Sequence, residues 1–430
     1  MEEVIECRGR APDAPPEAAV LTQREVFDRW LEAYCASRRL HPREARAAQS
    51  IRWCGRRELG AHVLSCPSGH FEELQFHACR HRSCARCART AQLRWIEAEL
   101  QRLLPVAHHH VVFTLPHELL PLWEHNRSAF MGALMRCTRQ SLLELLADER
   151  HLGAVPGVLQ SLHTWGRSLS RHPHVHCLVS AGGIDAQGQW RSTRAGWLMP
   201  VKAAQRLYRG KLLAAVRHGL EHGWSIPAWT TPTHWRAVLR RLWHKHWNLE
   251  IGRAYGSGTG VAIYLGGYVK GGPLPQDRAL HWRDGRIEFT YTDHRDGRRK
   301  PLQLTPQEFI GRLLWHAPPR GQHMTRHAGL YSSAWHEQHR RATEQLQRGA
   351  PIPERAWPRA RPDQPVVARA CPQCAKSLLR VRRLQGLRRS ELNVHRGGEI
   401  SPQSARVAVN RPLQPRERGP TGRSSGHPAA

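Results

Sequence analysis

Residues 171–180 read RHPHVHCLVS, three imidazoles within five positions running into an apolar tail. As an extended segment its side chains alternate between faces. Val175, Cys177 and Val179 then point one way, and His174 and His176 the other. One face is suited to a core and its reverse to chemistry. A His-x-His pair supplies only two of the three or more ligands that a catalytic metal requires. The chain holds 29 histidines, so the pair gains meaning only from what accompanies it. Just upstream, VLQSLHTWG (158–166) is a second strand-like run, close enough to pair with HPHVHCLVSAGG (172–183) as a hairpin. That pairing would carry His163 across from the His174 and His176 face.

The remaining elements fit a mixed architecture. TQREVFDRWLEAYCASRR (22–39) places Val26, Trp30, Leu31 and Tyr34 on one helical stripe. TAQLRWIEAELQRLLP (90–105) is an amphipathic helix closed by Pro105, and HHHVVFTLP (108–116) is a short apolar strand. Helical patterns follow at roughly 120–146, 202–219 and 233–246. RIEFTYTDHRDGRRKPLQL (286–304) is a hairpin with a basic loop. TPQE (305–308) opens a helix as a capping box, Thr305 against Glu308.

The 430 residues carry 65 Lys and Arg against 35 Asp and Glu, a formal charge of +30. That excess is too large for internal pairing and points to a polyanionic partner. No apolar run approaches the roughly 18 residues of a membrane helix, and the start lacks a signal-peptide layout. A cytoplasmic protein, nucleoid-associated while acting, is expected. Eleven cysteines there serve as thiols and metal ligands rather than disulfides.

Cys79, Cys84 and Cys87 form C-x4-C-x2-C in CRHRSCARC (79–87), with Cys54, Cys66 and His70 upstream. Zinc takes four nitrogen or sulfur donors, and a C-x2-C turn offers two. Which four serve, and whether one ion or two are held, stays open. Interleaved Arg80, Arg82 and Arg86 suit phosphate contact. A second pair, Cys371 and Cys374 in CPQC, is half of a site by itself. In GVAIYLGGYVKGG (260–272), Tyr264 and Tyr268 stand four apart beside Lys270, a spacing that stacks both hydroxyls on one helical face. Gly266 and Gly267 weaken that helix. A cation on His-x-His, a tyrosine nucleophile and a basic surface are together the parts for covalent cleavage of a nucleic-acid backbone.

These stretches, in this order from about residue 20 to 345, resemble the two-tyrosine transposases of bacterial rolling-circle insertion sequences, the IS91 type. That family is grouped with the HUH single-strand endonucleases, and His174-Val175-His176 matches the motif that names them. Tyr264 and Tyr268 match the paired nucleophiles. The resemblance implies an α+β fold, an antiparallel sheet with flanking helices preceded by a small zinc-binding domain, with His-x-His on a central strand and a tyrosine helix across the site. Two departures affect the zinc. Family members usually carry a further cysteine after the one matching Cys66, and CPSGH has none, so His70 is the substitute. They commonly have histidine where Ser83 stands.

The resulting expectation is a flexible tail (1–20), a zinc DNA-binding domain (21–95), a catalytic domain (96–340) and a basic, mostly disordered tail (341–430). The expected activity is metal-dependent nicking and joining of single-stranded DNA through 5′-phosphotyrosine links, with Mg or Mn at His174 and His176. Related initiators complete the site with an upstream carboxylate; none occurs between His163 and His176 here, which leaves His163 as the third donor and His172 as its rival. A plasmid relaxase or replication initiator, and a non-enzymatic zinc DNA-binding regulator, are the alternatives. Target sequence and oligomeric state are not legible.

Overall fold

The computed structural model describes residues 14–194, 196–256, 272–275, 278–293, 296–347 and 369–386. All belong to one compact unit that ends at Gly386. In chain order the strands are β1 (Val20–Leu21), β2 (Ala61–Ser65), β3 (Glu72–Phe76), β4 (His108–Thr114), β5 (Val155–Trp165), β6 (Arg171–Ile184), β7 (Trp190–Ser192), β8 (Leu249–Tyr255), β9 (Leu280–Arg283), β10 (Arg286–Thr292), β11 (Arg299–Leu304), β12 (Thr325–Gly329) and β13 (Leu379–Leu384). The helices are α1 (Gln23–Ser37), α2 (Pro42–Trp53), α3 (Ala85–Arg102), α4 (Leu120–His125), α5 (Arg127–Ala147), α6 (Val201–Glu221), α7 (Pro232–His244), α8 (Pro306–Trp315) and α9 (His336–Gln347). The α+β expectation holds, with antiparallel sheets and flanking helices. Among the described residues no helix is long and apolar enough to cross a membrane.

The principal sheet runs β12-β5-β6-β4-β8, with β7 paired to the end of β6. The hairpin read from sequence is its centre, β5 against β6, with His163 opposite His174. Alternation sorts the two faces. Val111 and Phe113 of β4, Val158 and Leu162 of β5, and Val175, Cys177 and Val179 of β6 enter a core shared with Phe130, Leu134, Tyr208 and Trp235 of α5, α6 and α7. Gln160 also points into this layer, where its amide donates to the Met135 carbonyl at 3.0 Å and bonds Thr138 Oγ1 at 2.6 Å. The opposite face carries the histidines and a second apolar group, Leu103, Leu104, Leu159, Leu178 and Tyr331. It is buried as well, so the chemical face of β6 is not a surface. Gly157 of β5 is required there: a Cβ would stand 2.5 Å from the Tyr331 ring.

The N-terminal region shares its core with a distant segment. Val26, Trp30, Leu31 and Tyr34 are buried as the stripe predicted, together with Phe27, but against Ile287, Phe289, Phe309, Leu313 and Leu314 as well as Ala47 and Ile51. β1 pairs β9 at the edge of a four-stranded sheet, β1-β9-β10-β11. Residues 21–95 therefore do not close a core from their own side chains: one apolar stripe per helix needs a facing layer, and the 280–317 segment supplies it. The capping box Thr305–Glu308 is present, and an unforeseen one, Thr22–Glu25, starts α1. Of residues 341–430, the described ones include the end of α9, which runs to Gln347, and residues 379–384, which pair with β2.

Candidate active site and metal centres

β6 places His174 and His176 on one face because they are two residues apart on a strand. β5 brings His163 beside them because it is opposite His174 in the register. The ring centroids of His163 lie 5.4 Å from His174 and 4.5 Å from His176. One ring nitrogen from each of the three falls within 4.8 Å of the others. All three are buried, His163 at 1%, His174 at 8% and His176 at 7% exposure. Burial lowers the pKa of His174 to about 3, and burial followed by the neighbouring imidazoles holds His176 well below its ordinary value. Both are therefore neutral at physiological pH, the state that binds metal.

Their orientation is set by the atoms behind them. His174 Nδ1 lies 2.6 Å from the His172 carbonyl, so it carries the proton and leaves the Nε2 lone pair facing the site. His110 of β4 stands behind His176, its Nε2 2.8 Å from His176 Nδ1. His174 Nε2 and His176 Nε2 converge to 2.9 Å. Whichever of His110 and His176 donates in their mutual contact, His163, His174 and His176 bring their ring nitrogens together at one point. Three buried imidazoles with converging nitrogens, two of them held neutral, are a donor set that fits a divalent cation. Sequence reading missed His110: HHHVVF is visibly histidine-rich, but only the pairing of β4 with β6 shows which ring meets His176. His172 contributes its carbonyl, and its ring centroid lies 5.0 Å from that of His174 and 5.9 Å from that of His117; it is not one of the three grouped donors.

On the far side of His163 the Trp165 ring stacks at 4.7 Å with an interplanar angle of 10°. The Arg82 guanidinium lies 5.5 Å over that same indole. Arg82, read from sequence with Arg80 and Arg86 as suited to phosphate contact, is half-buried, and burial lowers its pKa to about 10. Arg80 and Arg86 are exposed. Tyr264, Tyr268 and Lys270 lie outside the described residues.

The cysteines fall into two groups. Cys54, Cys79, Cys84 and Cys87 bring their sulfurs within 4.8 Å, and Cys66 and His70 do the same with Cys371 and Cys374. The six residues taken together from sequence are thus divided, and the CPQC pair supplies the donors missing from the second group. In the first group Cys84 caps α3 and Cys87 sits in its first turn, while Cys54 follows α2. Thiol contacts from Cys79, then Cys84 and Cys87, push Cys54 far below the usual range, and the Cys54 contact pushes Cys79 up. Such crowding of four thiols is the donor chemistry of a tetrahedral all-cysteine zinc site. Ser83 is buried and outside it; its carbonyl accepts from the Gln23 amide at 2.9 Å.

Residues 26–115 match the family model described as "Transposase zinc-binding domain", and residues 157–339 match that described as "Putative transposase". "Putative transposase y4qJ" of Sinorhizobium fredii is 32% identical over 322 residues, which are 73% of this chain and 81% of that protein. The chain belongs to the IS91-type transposases. A further relative, "Transposase for insertion sequence element IS801" of Pseudomonas savastanoi pv. phaseolicola, is 30% identical over 290 residues, 65% of this chain and 68% of the relative. No solved structure matches the transposase. The zinc-domain match includes the complete Cys54, Cys79, Cys84, Cys87 group, so the N-terminal region of this DNA-binding enzyme is a zinc-binding one.

Proposed function

We propose that the transposase nicks and rejoins single-stranded DNA at the ends of its element through 5′-phosphotyrosine intermediates, using the HUH chemistry of its resemblance. The observation that carries this reading is the buried convergence of His163, His174 and His176 on the central hairpin. Those three residues would hold the cation. When bound, it supplies Lewis-acid polarisation of the scissile phosphate. An all-imidazole set lacks the carboxylates by which Mg is usually held, so Mn is the better fit of the two ions.

The nucleophile is Tyr264 or Tyr268. Its phenol, with a pKa of about 10, must lose a proton as it attacks. A bond forms between the tyrosine oxygen and phosphorus while the phosphorus–O3′ bond breaks. The departing 3′ oxygen takes up a proton to become a free hydroxyl. Rejoining is the reverse, attack of a 3′-hydroxyl on the phosphotyrosine with the phenol leaving, so no external energy source enters. Two tyrosines allow two ends to be held at once. Arg82, over the Trp165 ring that stacks on His163, would meet phosphate charge, and Arg80, Arg86 and Lys270 would serve backbone contact more generally.

Incubation with a labelled single-stranded oligonucleotide from the element terminus and Mn tests this reading. A denaturation-resistant protein–DNA adduct is expected from the wild type. It should be lost in the Tyr264→Phe, Tyr268→Phe double variant; an adduct that persists there overturns the assignment.

A further inference from the structure

We propose that Cys66, His70, Cys371 and Cys374 form a second zinc site, distinct from the Cys54 group, which docks residues 369–386 onto the N-terminal domain as the third strand of a zinc ribbon. The zinc-domain family model ends at residue 115 and contains only half of this donor set.

The four ligand atoms come within 4.8 Å of one another, with Cys66 and Cys374 sulfurs 3.5 Å apart. A disulfide would need about 2.05 Å, and no disulfide joins any of the ten cysteines among the described residues. Three thiols and one imidazole are a donor set that structural zinc sites use. The two halves are built alike. After Cys66 the chain turns through Gly69 at φ 74°, the Gly69 amide donating to the Cys66 carbonyl at 2.9 Å and the Ser68 amide to Cys66 Sγ at 3.4 Å. After Cys371 it turns through Ala375 at φ 57°, with the Ala375 amide donating to the Cys371 carbonyl at 2.8 Å. In both turns a left-handed residue adjoins the second donor, Gly69 just before His70 and Ala375 just after Cys374.

The scaffold around them gives the metal a purpose. β13 pairs antiparallel with β2, Leu379 opposite Ser65 and Leu384 opposite Ala61, completing the order β13-β2-β3. Arg369 forms an ion pair with Glu73, and Lys376 Nζ reaches Ser68 Oγ at 3.1 Å. Among the described residues the apolar cluster around these donors is small: Leu64, Leu378 and the two buried cysteines, with Phe71 and Cys374 against it. β13 itself is exposed almost throughout and carries Arg380, Arg382 and Arg383. A short, cationic, exposed strand arriving from so far downstream has too little apolar area to offset its own ordering. A metal crosslink between the turns is what such small ribbons use instead.

Elemental analysis and alkylation of the full-length protein test this without reference to nicking. Two zinc per chain are expected, with Cys371 and Cys374 protected from alkylation until a chelator is added. The Cys371→Ser, Cys374→Ser variant should keep one zinc and lose hydrogen-exchange protection in 379–384 while the β5–β6 amides keep theirs. Free alkylation of Cys371 and Cys374 in the zinc-loaded wild type, retention of both ions by the double variant, or a disulfide between Cys66 and Cys374 each overturns the proposal.

Discussion

His110 shows how much a residue's role depends on what stands opposite it. It touches His176 rather than the point where the three donors converge, so its substitution acts through ligand orientation. Outer partners of metal-bound histidines typically contribute about 10–100-fold in affinity. His110→Ala should raise the Mn concentration for half-maximal nicking by a factor in that range while saturated activity recovers; an unchanged Mn requirement would remove His110 from the site. His174→Ala and His176→Ala should abolish nicking yet largely spare DNA binding, because polarisation of the phosphate matters most in the transition state. Filter binding alongside the adduct assay separates the two effects. His163→Ala should increase the Mn requirement, whereas an unaltered requirement would move the third donor elsewhere.

At the scale of elements, helix starts carry information that survives folding. Thr305 Oγ1 accepts from the Glu308 amide at 3.1 Å, and the Glu308 carboxylate accepts from the Thr305 amide at 2.9 Å. Thr305→Ala should lower stability by about 1 kcal/mol, seen as a lower melting temperature. No change would mean that packing of α8 against α1 alone sets its start. α3 works at both ends: its first turn presents Cys87 to the zinc group, and near its last turn Glu99 pairs with His327 of β12 at 2.8 Å. One helix thus touches both the cysteine group and the principal sheet.

Across the whole molecule, charge and buried imidazole set the response to salt and pH. The +30 charge implies that log K for single-stranded DNA falls by about 0.7 per neutralised phosphate per decade of salt; a flat titration would give the charge another purpose. Burial lowers the pKa of His108 to about 4 and of His316 to about 3, against about 6.5 in an unfolded chain. Below 6.5 the unfolded chain therefore binds protons that the folded one does not. Above pH 6.5 these rings are neutral in both states and do not affect stability, which then declines as pH falls toward 4 and 3, by roughly 3 to 5 kcal/mol for each group. Melting temperature should drop across that window, and a constant value from pH 7 to pH 4 would contradict the burial of these rings.

Local pattern determined a good deal here. The alternation of RHPHVHCLVS, the stripe through Val26, Trp30, Leu31 and Tyr34, the TPQE cap and the hairpin from VLQSLHTWG each depend on a period of 2 or 3.6 or on a few adjacent residues. That is why they could be read from the chain directly. The α+β class and the pairing of His163 with His174 followed from them and from the family resemblance. Contacts between segments far apart in sequence left no such trace. Nothing local in HHHVVF says that His110 meets His176, nothing in α1 says that its core partner lies near Phe309, and nothing in CPQC names Cys66 and His70 as its complement. Those choices were made by sheet order and by which apolar or sulfur-bearing faces lacked a partner nearby, which only the tertiary structure decides.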